Sequence, residues 1–327
     1  MTKTIRAALA ALALSAAAPA HALDRVSFQT NWFAEAEHGG FYEAVADGTY
    51  ARYGLDVEIR QGGPNVNGAL LLVGGKVDFA MGLDLIDGFN AAASGAPLVV
   101  VAAEFQRDPQ ILMSHPGVGL DRWADLPKAK LFIGPLGRAT YLKWLIKTAG
   151  FKEENARAYD FSVAPFLADP TSIVQGFVTS EPFAVKAKGG FAPNVFLLAD
   201  HGFGDYSTTI ETSATAAKDR ADLVRRFVEA SAIGWKHYLH GDRAKADAAI
   251  LAANPRMTQA QIDYSVAAMK ANGIVESGDA LATGIGAMTW ARIGAFHAQM
   301  VAAGVVKDAP DWRKAFDLRF VGKAPKP

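Results

Sequence analysis

Asn31-Trp32-Phe33-Ala34-Glu35-Ala36-Glu37-His38-Gly39-Gly40-Phe41-Tyr42 is the stretch on which the reading of the fold turns. Upstream, Arg25-Val26-Ser27-Phe28-Gln29-Thr30 alternates apolar and polar residues as a strand does; downstream, Glu43 to Tyr53 reads as a helix. A strand handing over to a helix is where open α/β sheets hold ligands, because helix amides and loop side chains converge there. This junction gathers an amide, aromatic rings, a histidine and two carboxylates. Gly39 and Gly40 are expected to let the backbone come close to a ligand above the helix.

Working outward, Leu55–Ile59 alternates as a second strand and ends in Gly62-Gly63-Pro64-Asn65, with Asn65 as the expected cap of a helix Val66–Val73 and Asn67 in its first turn. Val77–Met81 is a third strand, and Gly82-Leu83-Asp84 begins the next helix. Leu98–Ala103 is a continuous apolar run, which suits a strand covered on both faces. The order β-α-β-α-β-α-β argues for a mostly parallel sheet. A second unit repeats the pattern through Gln110–Met113, Lys130–Ile133, Ala156–Tyr159, Phe177–Thr179 and Val195–Leu198, with helices from Arg138 and from Glu181. Extended segments near Glu104–Gln110 and Ala199–Ile210 are the expected crossovers, and a pair of crossovers makes a hinge. From Ser213 onward the pattern is helical, with Leu223, Phe227, Ala230 and Trp235 on one face of Arg220–His240.

Lys plus Arg (33) balances Asp plus Glu (33), so no strong field draws the chain to nucleic acid or an anionic membrane. Lys3, Arg6, the apolar run Ala7–Ala18 and Ala20-His21-Ala22 read as a cleavable signal peptide over residues 1–22. The remaining chain of about 305 residues suffices for two domains. There is no cysteine, which removes disulfides, thiol chemistry and lipoprotein processing. A periplasmic location is expected.

The order and spacing of Asn-Trp-Phe (31–33), Glu-His-Gly-Gly-Phe-Tyr-Glu-Ala (37–44), Gly-Lys-Val-Asp-Phe-Ala-Met-Gly (75–82) and Gln-Gly-Phe-Val-Thr-Ser-Glu-Pro-Phe (175–183) resemble the nitrate/sulfonate/taurine and thiamine-pyrimidine-precursor group of periplasmic binding proteins. The resemblance covers nearly the whole chain after the signal peptide. It implies an α/β type II periplasmic binding protein: two doubly wound lobes joined by a two-segment hinge, lobe 1 from 23–106 and 207–327 and lobe 2 from 107–206. It also implies a non-enzymatic carrier without cofactor or metal, a monomer that hands a small solute to an ABC permease of the inner membrane. The Asn31-Trp32 and His38 region looks most similar to the branch that takes thiamine pyrimidine precursors and flat heterocycles such as riboflavin. Some eukaryotic relatives of that branch are self-consuming synthases with a cysteine-rich motif; this sequence has no cysteine.

The residues expected at the ligand are Asn31, Trp32, His38, Tyr42, Asn65, Asp84, Arg138, Tyr141, Glu181 and Tyr206. Trp32 and Tyr42 either stack on a planar ring or belong to the core. Asn31 either reads a pyrimidine edge or stabilises a turn. His38 suits hydrogen bonding or a cap better than general-base work, since no nucleophile adjoins it. Glu35 and Glu37 read as solvated loop charges, one of them able to face the cleft. Asp84 and Glu181 sit at helix starts, where acids also serve as caps. Arg138, with Thr140 and Tyr141 in the same turn, is the one expected anion contact, and Tyr206, Ser207 and Thr208 lie on the return crossover. The acids Glu37, Asp84 and Glu181 outnumber Arg138, so an amino-bearing nitrogen heterocycle is preferred to the alternative of nitrate, taurine or a sulfonate.

Overall fold

In the computed structural model, which describes residues 22–321, β1 (Asp24–Gln29) pairs in parallel with β2 (Leu55–Arg60), Val26 opposite Val57, and with β3 (Phe79–Asp84), Phe28 opposite Phe79. The expected signal peptide lies outside the described residues except for Ala22. β4 (Leu98–Phe105) is buried at every position, as its unbroken apolar run requires. Between β3 and β4 runs β10 (Ser207–Ser213), antiparallel to both, giving the order β2-β1-β3-β10-β4. The sequence reads this segment as an extended crossover; its β-branched residues Thr208, Thr209, Ile210 and Thr212 let it serve as a central strand.

The second sheet has the same plan. β5 (Gln110–Ser114), β6 (Lys130–Ile133), β7 (Ala156–Ala158), β8 (Ser172–Phe177) and β9 (Asn194–Leu197) assemble as β7-β6-β8-β5-β9. Only β5 runs against its neighbours. In each lobe the reversed strand is the one arriving from the other lobe. The expected strand Phe177–Thr179 is shifted: the ladder runs over 172–177, because Ile173 and Val174 pair with both β5 and β6, and 178–179 form the loop beyond.

Two further expectations are corrected. Asn67, not Asn65, caps the short helix Gly68–Val73, its side chain accepting from Leu70 N at 2.9 Å, while Asn65 lies exposed in the preceding turn. Gly39 and Gly40 do not make room for a ligand. A Cβ on Gly39 would overlap the Tyr238 ring, one on Gly40 the Trp235 ring, and one on Gly234 the Gly40 carbonyl. These glycines let the helix Gly39–Ala46 cross the long helix Ala221–His240 at backbone contact. Below the crossing, Phe28, Phe41, Phe79 and Phe227 are fully buried, with Phe79 stacked on Phe227 at 4.1 Å. Each such ring contributes about 2–3 kcal/mol by burial.

The chain passes between lobes at Gln106–Pro109 and Gly202–Tyr206, side by side, since Ser207 pairs with Phe105. The carboxyl ends of β1, β3, β6 and β8 and the starts of β5 and β10 therefore meet at one interlobe seam.

Candidate functional site

From lobe 1, the turn after β1 carries Asn31 to His38 into the seam. The His38 ring is fully buried, its Nε2 3.2 Å from Asn31 Oδ1 and 3.9 Å from a Glu35 oxygen, and its Nδ1 has no partner. Burial lowers its pKa to about 3, so the ring is neutral, and the Nε2–H tautomer is the one that donates to Asn31. Trp32 is half-buried and its ring lies 5.3 Å from that of Phe161, which lobe 2 contributes from the loop after β7. Phe161 in turn is 5.5 Å from Tyr159.

Beside these rings three carboxyls converge from both lobes. Glu37 is 3% exposed, which corrects its reading as a solvated charge. Glu35 shares that environment. Burial raises its pKa well above the carboxylate range, with Glu37 and Glu181 adding to the rise. Burial also raises Glu37, opposed by the Thr179 hydroxyl. Glu181 accepts from Phe177 N at 2.7 Å and from the Tyr159 hydroxyl at 3.5 Å, and burial pushes it up to about 7.

A second acidic group lies under the end of β3. Asp84 is buried and caps the helix Leu85–Ser94, accepting from Ile86 N at 2.8 Å; burial, then Asp87 and Asp108, hold its pKa high. Asp108 on the first crossover is pushed up to about 7 by burial. Asp205 on the return crossover and Glu211 on β10 are raised by burial and by their acidic neighbours, and each keeps one oxygen without a partner. Arg292, near Asp205, is the basic side chain that acts on this group.

Buried like charges cost several kcal/mol unless protonated or paired. The seam thus gathers acidic side chains whose pKa values burial holds above the usual carboxylate range. Among the described residues, no group of three or more His, Asp or Glu side chains is arranged for a metal, and no helix is long and apolar enough to cross a membrane.

Of the ten expected residues, the structure brings Asn31, Trp32, His38 and Glu181 together, with Asp84 and Tyr141 at the adjoining strand ends. The Tyr141 hydroxyl donates to Gln175 Oε1 at 2.9 Å, an oxygen that also accepts from Gly134 N at 2.6 Å. Four others are placed elsewhere. Tyr42 packs in the lobe 1 core at 8% exposure. Asn65 is in its exposed turn. Arg138 points to solvent and pairs with Glu153, because the helix it was read on breaks at Thr140 (φ −113°, ψ −99°). Tyr206 has its hydroxyl bound to Asp279 and its ring covered by the Arg292 guanidinium at 3.9 Å, which leaves no face for a solute.

Phe161, Tyr159, Asp108, Asp205, Glu211 and Gln175 were not singled out by the sequence. Backbone strain marks two places here: Phe161 (φ 66°) and Thr208 (φ 51°) are the non-glycine residues with positive φ among those described, and both stand at the seam. Strain of this kind costs about 1–3 kcal/mol and gathers at ligand sites. Two surface concavities, of about 300 Å3 around Asp78 and Arg220 and about 380 Å3 around Arg243 and Asp247, lie away from the seam, and each is spanned by the protein's own ion pair.

Residues 35–244 match the profile of the family described as NMT1/THI5 like. The chain belongs to this family. Its members' profile begins at Glu35 and so takes in the acidic turn, both crossovers and β10. Comparison with curated proteins finds no match. Among solved structures, a Candida albicans protein described as having the generic periplasmic binding protein fold is 16% identical, with a TM-score of 0.61 over 90% of this chain and 96% of its own. The ligand-binding component of an ABC-type import system from Staphylococcus aureus, solved with zinc bound, is 12% identical, with a TM-score of 0.63 over 91% and 97%. The alkanesulfonate-binding protein of Xanthomonas axonopodis pv. citri, bound to MOPS, is 14% identical, with a TM-score of 0.62 over 91% and 98%. A desulfurization enzyme has the same fold at 11% identity and a TM-score of 0.53, over 91% of this chain and 97% of its own. At these identities the likeness establishes the periplasmic binding protein fold.

Proposed function

We propose that this family member is the solute-binding component of an ABC importer, working in the periplasm. Residues 23–106 with 207–327 move as one body and 107–206 as the other, and they close on a small solute and present it to a membrane permease. The observation that carries this reading is the convergence of Trp32, Asn31, His38 and Glu35 from one lobe with Phe161, Tyr159 and Glu181 from the other. Such a site forms only when the lobes meet, which is how closure couples to occupancy. Capture without chemistry fits a neutral, buried His38 with no nucleophile beside it.

For the solute, the seam's charge favours a flat, amino-bearing nitrogen heterocycle of the thiamine-pyrimidine or flavin kind. Aromatic edges grip its plane, and carboxyls accept from its amino group. A second reading, a small sulfonate or similar anion, has the better support from the comparisons, since sulfonate-binding proteins are among the solved structures of this fold and the Xanthomonas one is bound to MOPS. Against it stands the position of Arg138, which pairs with Glu153 at the surface, so an anion would have to take its hydrogen bonds from carboxyl O–H groups and not from a guanidinium. Native mass spectrometry of protein purified from its own periplasm tests the proposal: a co-purified amino-heterocycle supports the first reading and a co-purified sulfonate the second. Repeated isolation without any small molecule, together with no response to either class in solution, would overturn both.

A further inference from the structure

Both crossovers run past one side chain. Arg292, on the helix Trp290–Ala302, donates through Nε to Gly204 O at 2.9 Å and through Nη2 to Asp205 O at 2.7 Å and to Gln106 O. Gly204 and Asp205 belong to the return crossover and Gln106 to the outgoing one. The same guanidinium covers the Tyr206 ring and stands 3.8 Å from Asp279. A planar fork bridges these three carbonyls from two separate nitrogens, a spread that an ammonium, with its three donors on one nitrogen, does not reproduce. Beside this point Arg107 pairs with Asp200, just before the return crossover, and the Ser207 hydroxyl bonds Asp108.

We propose that Arg292 is a positioning residue for lobe closure: by holding both crossovers to the C-terminal helix, it fixes where the chain bends and limits how far the lobes part. The inference rests on the proposed open-and-close function and adds to it a residue outside the solute site. Without the fork, three hinge carbonyls lose their donors. The bend then spreads over Gln106–Pro109 and Gly202–Tyr206, and the unliganded lobes sample wider angles.

The test uses the absence of native cysteine. Lys245→Cys on lobe 1 and Lys188→Cys on lobe 2, both exposed, carry spin labels, and the interlobe distance distribution is read by pulsed electron spin resonance. R292A is expected to add a longer-distance population to the solute-free distribution. R292K keeps the charge beside Asp279 but not the fork, and is expected to give a smaller population at the same distance. Circular dichroism confirms that the variants are folded, and R292K serves if R292A is not. Distributions of folded variants that coincide with wild type would overturn the inference. Added 4-aminopyrimidine, riboflavin and taurine form a separate arm. If none of them narrows the wild-type distribution, the proposed solute classes fail, while the solute-free comparison still decides the role of Arg292.

Discussion

Glu104 offers a direct reading of what burial does to this protein. It lies on β4, fully buried, and neither carboxylate oxygen has a partner. Desolvation alone pushes its pKa from 4.5 to about 8. A raised carboxyl pKa means that the folded state holds the proton more tightly than the unfolded state. Its contribution is therefore fully present below pH 4.5 and is lost as the pH rises toward 8. Each pH unit inside that window costs about 1.4 kcal/mol, so moving from pH 5 to pH 7.5 removes roughly 3 kcal/mol through this one group. Glu104→Gln cannot titrate and should escape that loss. Urea unfolding of both proteins at pH 5 and pH 7.5, followed by tryptophan fluorescence, measures the difference. Asp108 and Glu181 titrate in the same direction in both proteins and cancel in the comparison. The variant should gain roughly 3 kcal/mol on wild type between the two conditions. An equal pH dependence in both would refute the claim that Glu104 is buried without a partner.

Trp32→Ala should weaken solute binding by about 1–3 kcal/mol in calorimetry while leaving the melting temperature within a few degrees of wild type. Asp84→Ala should cost about 1 kcal/mol or more of stability, read by urea unfolding, because it removes the cap of Leu85–Ser94. Gly40→Ala should destabilise the fold by about 1–3 kcal/mol in the same assay, through overlap with the Trp235 ring. Arg138→Ala should leave solute affinity unchanged in calorimetry, since its partner is the exposed Glu153.

The strand and helix order of both lobes is legible in the sequence because hydrophobic alternation survives in β1 and β2 and apolar runs mark β4 and β6. The seam is legible where a strand end meets a helix start, as at Asn31–His38 and Ser180–Glu181. The acids were harder to read. Glu37 lies in the short 3-10 turn Ala36–His38 and Asp205 in a crossover, places where carboxylates are normally solvated, and each is buried beside groups distant in sequence, Thr179 at Glu37 and Leu85 and Arg292 at Asp205. Gly39 and Gly40 read as ligand clearance when their partner, Trp235 and Tyr238 on a helix two hundred residues away in the chain by rough count, gives no local signal. Arg138 illustrates the converse: a helix-start arginine looks like an anion contact until the break at Thr140 turns it outward. Phe161 has no signature at all, since only its positive φ distinguishes it.

The most direct test of the account is a calorimetric titration of the wild-type protein at pH 7 with 4-aminopyrimidine, riboflavin, taurine and an alkyl sulfonate. Saturable heat with an amino-bearing ring, and none with the anions, is the predicted result. Saturable binding of taurine or the sulfonate with silent heterocycles would contradict an acidic seam built to receive an amino group.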